Sequence, residues 1–307
     1  MIEREHDEAA VARVLAALSV AEIVDAAGAR GAPSIVQRLV HMLATVPSDR
    51  LGASLARFDA DLAIVGLGAA AQRLLRRFGA SVDVEGGLPP HGAVLVVTNH
   101  PGAYDSIAMM AAAGRDDVAL IAAERTFLAA MPRFREHLVF VADAKESVRA
   151  RAAGLRRALA WLDAGHVLVQ YGAGAIEPDV RFARPGEDAL GAWSDGTGVL
   201  AAHAAKRGAT IVPTLVSGVH SRRAKAFPGV RWAESRGVTT LAPLIQATIP
   251  GFRDVRVQVL FGPPLEPRAV LAAPSHRERT ALARAAVAAL ASRSRRGHPW
   301  TLLREPE

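Results

Sequence analysis

The sequence predicts an α/β fold with a mostly parallel sheet flanked by helices, preceded by an N-terminal helical layer. Before residue 80, apolar residues recur at helical spacing, whereas from residue 81 onward short apolar runs alternate with helical segments. Half of the 307 residues are hydrophobic, so the chain can bury a large core. We therefore expect a helical region at 1–80 and an α/β domain at 81–307 that ends in a C-terminal helix.

The N-terminal region contains four segments with helical periodicity, at 9–18, 20–27, 33–43 and 69–78. Pro33 and Ser34 form a start signal for the third of these helices. Pro47 is expected to end it, because proline lacks the backbone N–H that a helix interior needs. The fourth segment is followed by Gly79, a typical helix end.

Seven short runs in the remaining chain have strand character: 81–85, 93–97, 118–123, 138–141, 167–170, 210–216 and 255–261. A strongly periodic helix is predicted at 148–164 and ends before Gly165, and a basic, alanine-rich helix at 276–293 closes the chain. Because strands and helices alternate, most of the strands are expected to be parallel.

Composition narrows the classes of function. The chain contains no cysteine, which excludes disulfides, thiolate nucleophiles and cysteine-ligated metals, and no histidine–carboxylate group has metal-ligand spacing. The formal charge of +7 favours anionic partners such as acidic lipid headgroups and CoA, but no long basic run predicts nucleic-acid binding. The charged N-terminus and the lack of a long apolar run predict a cytoplasmic protein, with at most peripheral contact at the inner face of the membrane.

The candidate catalytic residues follow the second apolar run, in the segment VLVVTNHPGAYDS. Asp105 lies five positions after His100, and no other histidine of the chain has an aspartate at that distance. Histidine suits proton transfer near neutral pH, and a neighbouring carboxylate can orient its ring. The alternative is an ordinary strand-to-helix turn in which Asn99 or Asp105 caps the next helix.

A second candidate site is a dinucleotide fingerprint at residues 62–85. The apolar run 62–65 is followed by Gly66, Gly68 and Ala71 in the pattern G-x-G-x-x-A, and Glu85 comes about 20 residues later. This interpretation predicts an NAD-dependent oxidoreductase. The same residues also fit one continuous helix in which the two glycines allow close packing.

From Val82 to about residue 262 the chain resembles the glycerolipid acyltransferase superfamily, with its lysophosphatidate acyltransferase-like (PlsC-type) domain. The resemblance depends on four blocks in order: VDVEGGLPPHGAVLVVTNHPGAYD, VFVADAKESVRA, VLVQYGAGAIEPD and IVPTLVSG. It implies an acyltransferase-like α/β fold and transfer of a fatty acyl group from a thioester to a hydroxyl of a lysophospholipid or glycerol-type acceptor. The donor would be acyl-CoA or acyl carrier protein, with no further cofactor.

The resemblance also implies roles for individual residues. Asn99, His100 and Asp105 match the N-H-x-x-x-x-D motif, in which His100 would be the general base and Asp105 would orient it. The loop residues Gly172, Ala173 and Gly174 would offer backbone N–H groups to the oxyanion, or would simply form a glycine turn. Asn99 and this loop are therefore candidate substrate-binding residues.

Two departures from the family pattern concern the acceptor. The third block lacks its usual glutamate, and Glu177 is the candidate that would act in its place. The second block lacks its usual arginine, so Lys145, Arg222 and Arg223 would supply positive charge to a phosphate or to an anionic membrane. The other interpretations are a non-phosphorylated acceptor, a solvated basic loop, or a non-catalytic lipid-binding relative.

Overall fold

The computed structural model of the chain describes residues 2–26, 34–102, 104–142, 147–183, 188–235 and 241–297. The chain divides into two compact units. The first unit comprises Met1–Ser81, Glu124–His137 and His220–Arg256, and the second comprises Val82–Ala123, Leu138–Val219 and Val257–Glu307. The predicted boundary after residue 80 lies next to the end of the N-terminal segment of the first unit, which also takes in two later segments.

A seven-stranded sheet organises the second unit. Its strands are β1 (Ala80–Glu85), β2 (Val94–Thr98), β3 (Val118–Ala123), β4 (Leu138–Val141), β5 (Val167–Tyr171), β6 (Thr210–Ser217) and β7 (Val255–Phe261). They lie in the order β1-β7-β6-β2-β5-β3-β4. β2 pairs in parallel with β5 and β6, β3 pairs in parallel with β4 and β5, and β7 is antiparallel to β6. The predicted α/β class with a mostly parallel sheet is confirmed.

Helices of the second unit bury the sheet. They are α4 (Asp105–Ala112), α6 (Val148–Asp163), α7 (Asp195–Arg207), α11 (Pro267–Ala272) and α12 (His276–Gly297). All five residues of β2 and all five of β5 are buried, as expected of central parallel strands. One core cluster joins Leu95 and Leu168 of these strands to Leu200 of α7 and Val287 of α12. The centre of the sheet is thus a rigid support for the residues that follow its strands.

The first unit is helical. It contains α1 (Ile2–Ala26), α2 (Ser34–Val65), α3 (Leu67–Arg77), α5 (Thr126–Ala129), α8 (Arg222–Ala226), α9 (Pro228–Glu234) and α10 (Leu241–Thr248), with short 3₁₀ turns at Phe134–His137 and Pro250–Phe252. None of the helices among the described residues has both the length and the apolar character needed to cross a membrane.

The expectation that Pro47 ends a helix is wrong, because Pro47 lies inside α2. Proline removes one helical hydrogen bond, but α2 packs along α1 so closely that a Cβ on Gly52 would lie 2.5 Å from the Ala12 carbonyl oxygen. Burial of α2 against α1 therefore maintains the helix through the proline.

The strand required by the dinucleotide fingerprint is absent, because residues 62–65 form the last turn of α2. Burial follows helical spacing there, with Phe58 and Leu62 inside and Ile64 exposed. Gly66, with φ of +78°, separates α2 from α3, and Gly68 lies within α3. Glu85 on β1 forms an ion pair with Arg293. The interpretation of residues 62–85 as a dinucleotide-binding fingerprint is therefore wrong.

Candidate active site

The carboxyl ends of three neighbouring strands meet at one edge of the sheet. Thr98, the last residue of β2, is in register with Tyr171 of β5 and Thr214 of β6. The residues that follow Thr98 and Tyr171 consequently lie at the same edge, which is where open α/β sheets place their ligand sites. Both segments were singled out in the sequence, at 99–105 and 172–177.

Asn99 ties the end of β2 to β6. Its side-chain amide donates to the Val216 carbonyl oxygen at 2.9 Å, and its side-chain oxygen accepts from the Val216 backbone N–H at 2.8 Å. The side chain is fully buried. Asn99 was predicted to bind substrate, but its polar atoms face the backbone of Val216, so it holds the turn that carries the next residue.

His100 and Asp105 form a close pair. The distance from His100 Nδ1 to Asp105 Oδ2 is 2.7 Å, and the same oxygen accepts from the Gly102 backbone N–H at 2.8 Å. Gly102 has a φ of +79°, a conformation that favours glycine and turns the chain back towards the start of α4. Since a carboxylate only accepts hydrogen bonds, Nδ1 carries the proton and Nε2 of the neutral ring has the free electron pair.

The surroundings of His100 favour its protonated form. Burial lowers the pKa of the ring, but the negative charge and hydrogen bond of Asp105, with a further contribution from Glu177, outweigh it and leave the pKa raised. The His100 side chain remains 26% exposed, whereas that of Asp105 is buried. The geometry thus combines a reachable imidazole with a shielded carboxylate, as a general base requires.

Tyr171 lies beside the ring of His100, with the ring centroids 4.4 Å apart. Its hydroxyl donates to Ser106 Oγ at 2.7 Å, and Ser106 Oγ lies 3.1 Å from Asp105 Oδ1. Neither residue was predicted from the sequence to belong to the site. Ser106 directly follows the motif aspartate and Tyr171 ends a buried strand, but only the fold brings them together.

Glu177 holds the backbone of His100. Its Oε2 accepts from the His100 backbone N–H at 2.8 Å, and its own backbone N–H donates to the His100 carbonyl oxygen at 2.7 Å. Its Oε1 accepts from Gly191 N–H at 2.7 Å and from Trp193 Nε1 at 3.1 Å. Glu177 was predicted to contact substrate, yet its buried carboxylate joins the loop after β2 to the loop before α7 and so acts as a clamp.

The loop after β5 is shaped by Trp193. A Cβ on Gly172 would lie 2.0 Å from an indole carbon of Trp193, so only glycine fits there. The Gly172 N–H donates to the Thr98 carbonyl oxygen at 2.9 Å, and the Gly174 N–H donates to that of Tyr171 at 3.1 Å. These two amides are therefore committed within the fold, whereas no hydrogen bond of the Ala173 N–H is found among the described residues.

The predicted basic residues are placed as follows. Lys145 lies outside the described residues. Arg222 and Arg223 begin α8 of the first unit, a short helix capped by the side chain of Ser221. The Arg223 side chain is largely exposed and lies 3.8 Å from Asp254. Across the described parts of the chain, no group of three or more histidines and carboxylates could hold a metal ion.

Comparisons with known proteins return one kind of match. No protein-family model matches the chain, and none of the curated proteins does. Among solved structures, the 1-acyl-sn-glycerophosphate (LPA) acyltransferase PlsC from Thermotoga maritima is 18% identical, over 83% of this chain and 90% of that chain, with a TM-score of 0.43.

Proposed function

We propose that this chain is an O-acyltransferase that moves a fatty acyl group from acyl-CoA or acyl carrier protein to a hydroxyl of a lysophospholipid or glycerol-type acceptor. The observation that carries the proposal is the 2.7 Å contact between His100 Nδ1 and Asp105 Oδ2 at the carboxyl edge of the central strands. This contact leaves Nε2 of a partly exposed ring as a proton acceptor.

The reaction needs no covalent enzyme intermediate. The acceptor hydroxyl attacks the thioester carbonyl carbon while His100 Nε2 removes its proton, and a tetrahedral oxyanion forms. When the intermediate collapses, the C–S bond breaks and the imidazolium returns the proton to the leaving thiolate. Asp105 stabilises the imidazolium between these two steps. The products are an ester and a free thiol.

The oxyanion requires a hydrogen-bond donor close to His100. The N–H groups of Gly172 and Gly174 are engaged with carbonyl oxygens of the fold, so we assign this role to the N–H of Ala173. The missing side chain at Gly172 lets Trp193 pack beneath the loop, which fixes the orientation of the neighbouring peptide. Ala173 is therefore a narrower assignment than the three-residue loop predicted from the sequence.

Contact with an anionic membrane is proposed for α8, α9 and Ile249 of the first unit. Arg222 and Arg223 are exposed there, as are Phe227, Trp232 and Ile249, the tryptophan to 60%. Cations attract acidic headgroups, and aromatic side chains favour the headgroup region.

Replacing both arginines by alanine is expected to reduce co-sedimentation with phosphatidylglycerol vesicles but not the low background with phosphatidylcholine. Arg207→Ala, at an exposed arginine of α7, is the control, and equal binding by all variants would contradict the assignment.

Acyl transfer is tested by turnover. Purified protein is given labelled acyl-CoA or acyl carrier protein with a panel of lysolipids and glycerol-type acceptors. His100→Ala is expected to lower kcat/KM about a hundredfold or more, because the general base is lost. His203→Ala is a matched control, since His203 also pairs with an aspartate, Asp163 Oδ1, at 2.8 Å, but does so on α7 and α6.

The outcomes separate the remaining interpretations. Equal turnover by wild type and His100→Ala would refute the mechanism. Binding of lipid or acyl donor without turnover in the wild type would favour a non-catalytic lipid-binding relative instead.

A further inference from the structure

A chain of hydrogen bonds leads to Oδ1 of Asp105, the carboxylate oxygen that does not pair with His100. Tyr171 Oη lies 2.7 Å from Ser106 Oγ, which lies 3.1 Å from Asp105 Oδ1. A carboxylate only accepts hydrogen bonds, and each hydroxyl has a single proton to donate. The direction is therefore fixed: Tyr171 donates to Ser106, and Ser106 donates to Asp105.

The hydroxyl chain of Tyr171 and Ser106 shares the Asp105 carboxylate with His100. Oδ1 of Asp105 accepts from Ser106, through both its hydroxyl and its backbone N–H, while Oδ2 accepts from His100 and Gly102. Donors at Oδ1 draw negative charge away from Oδ2 and restrict rotation of the carboxylate. The hydroxyl chain is thus placed to control how strongly Asp105 holds the proton of His100.

Tyr171 is suited to act as a neutral donor. Its side chain is buried, and burial together with the negative charge of Asp105 raises its pKa well above the ordinary value, although the bond to Ser106 opposes this. The phenol consequently keeps its proton when His100 titrates. Its ring also contacts the ring of His100, so one side chain supports both members of the pair.

We propose that Ser106 and Tyr171 are positioning residues that orient Asp105 and set its hold on His100. The proposal rests on the function proposed above, since it concerns the same site. Neither residue is assigned contact with substrate. Their hydroxyl groups act through the Asp105 carboxylate, that of Tyr171 by way of Ser106.

The proposal predicts a shift in the titration of His100. The charged groups that act on its ring are Asp105 from α4 and Glu177 from the loop after β5, and Ser106→Ala leaves both in place. Without the Ser106 hydroxyl, Asp105 retains more negative charge and favours the imidazolium. The proton-binding constant of His100 is expected to rise about two- to tenfold, which moves its titration to higher pH.

Histidine NMR measures this shift without any substrate. The His100 signal is assigned by its absence from His100→Ala, and it is followed through a pH titration in each variant. Tyr171→Phe should cause a smaller shift in the same direction, because Ser106 still donates to Asp105. The double variant should match Ser106→Ala alone, and Ser106→Thr, which retains the hydroxyl, should return the titration towards wild type.

An unchanged His100 titration in both Ser106→Ala and Tyr171→Phe would overturn the proposal, as would shifts that add in the double variant. Should Ser106→Ala fail to fold, Tyr171→Phe alone decides, because it preserves the ring packing. Absence of acyl transfer in the wild type would refute the proposed function but leave this titration interpretable. The two failures are therefore distinguishable.

Discussion

The replacement Glu177→Gln tests the clamp that holds His100. The buried carboxylate of Glu177 accepts from three donors: the backbone N–H groups of His100 and Gly191 and the indole N–H of Trp193. Glutamine has one acceptor oxygen and one NH₂ group in the same space. Whichever way its amide is turned, the NH₂ group faces at least one N–H that has lost its acceptor.

The expected loss of stability follows from the less costly orientation of the glutamine amide. If the glutamine oxygen faces Gly191 and Trp193, only the N–H of His100 is left unsatisfied, which costs about 1–3 kcal/mol. The opposite orientation leaves two donors unsatisfied and costs about twice as much. We therefore expect the free energy of unfolding to fall by about 1–3 kcal/mol, and Tm to fall by roughly 2–5 °C.

The same replacement should move the titration of His100 to lower pH. Glu177 raises the pKa of His100 by its negative charge, and glutamine removes that charge. Because His100 must be unprotonated to act as a base, the acid limb of the kcat/KM profile should move to lower pH as well. The maximum rate should nevertheless decrease, since the backbone that carries the ring is less firmly held.

Asp179→Asn is the matched control for the clamp. The buried carboxylate of Asp179 also accepts three backbone N–H groups, those of Arg181, Gly218 and Val219, but it does not contact His100. A similar loss of stability is expected, measured by thermal and urea unfolding, with no shift of the acid limb. If Glu177→Gln were as stable as wild type, or if both variants moved the acid limb equally, the inferred clamp would be wrong.

Three further predictions concern the same edge of the sheet. Gly172→Ala should lower the free energy of unfolding, measured in urea, by about 1–3 kcal/mol, because the new Cβ would overlap the indole of Trp193. Adding Trp193→Phe to this variant should recover part of the loss, and a neutral effect of Gly172→Ala would contradict the packing. Asp105→Asn should lower kcat by about three to four orders of magnitude, because an amide NH₂ facing Nδ1 of His100 favours the tautomer with the proton on Nε2. Nitrogen NMR of His100 checks the tautomer, and an unchanged tautomer would contradict this reasoning. The acid limb of the wild-type kcat/KM profile should lie above pH 6.5, the ordinary value for histidine, and a limb below it would conflict with the raised pKa of His100.

The strands were predictable because their signals are local. The runs at 118–123, 138–141 and 255–261 coincide with β3, β4 and β7. β5 extends one residue beyond the predicted run, and β2 begins and ends one residue later than predicted. Buried parallel strands consist of valine- and leucine-rich runs between turn residues, which are visible without any tertiary information. The short helices α8, α9 and α10 were not predicted, since each has too few residues to show a period.

The candidate site was predictable only in part, because only contacts between residues close in the sequence leave a local signal. The pairing of His100 with Asp105 spans five residues, so one local motif contains both groups. Glu177 contacts the backbone of a residue 77 positions away, and Asn99 contacts one 117 positions away. Contacts of this range depend on strand order and register, which sequence periodicity does not contain. Both residues were expected to face substrate because of the motif resemblance. In the fold, Asn99 bonds the backbone of Val216 next to His100, and Glu177 bonds the backbone of His100 itself.

The two oxygens of Asp105 have different partners, and neither caps α4 from the N-cap position, which Tyr104 occupies. Asp105 is the first residue of α4, where its Oδ1 accepts the backbone N–H of Ser106, while Oδ2 accepts from His100 and Gly102. A carboxylate that only capped a helix would need no histidine within 2.7 Å. Conversely, a carboxylate that only oriented a histidine would rotate unless its second oxygen were held. The helix start therefore anchors the group that orients His100, and the structural role of Asp105 is a condition for the catalytic role proposed here.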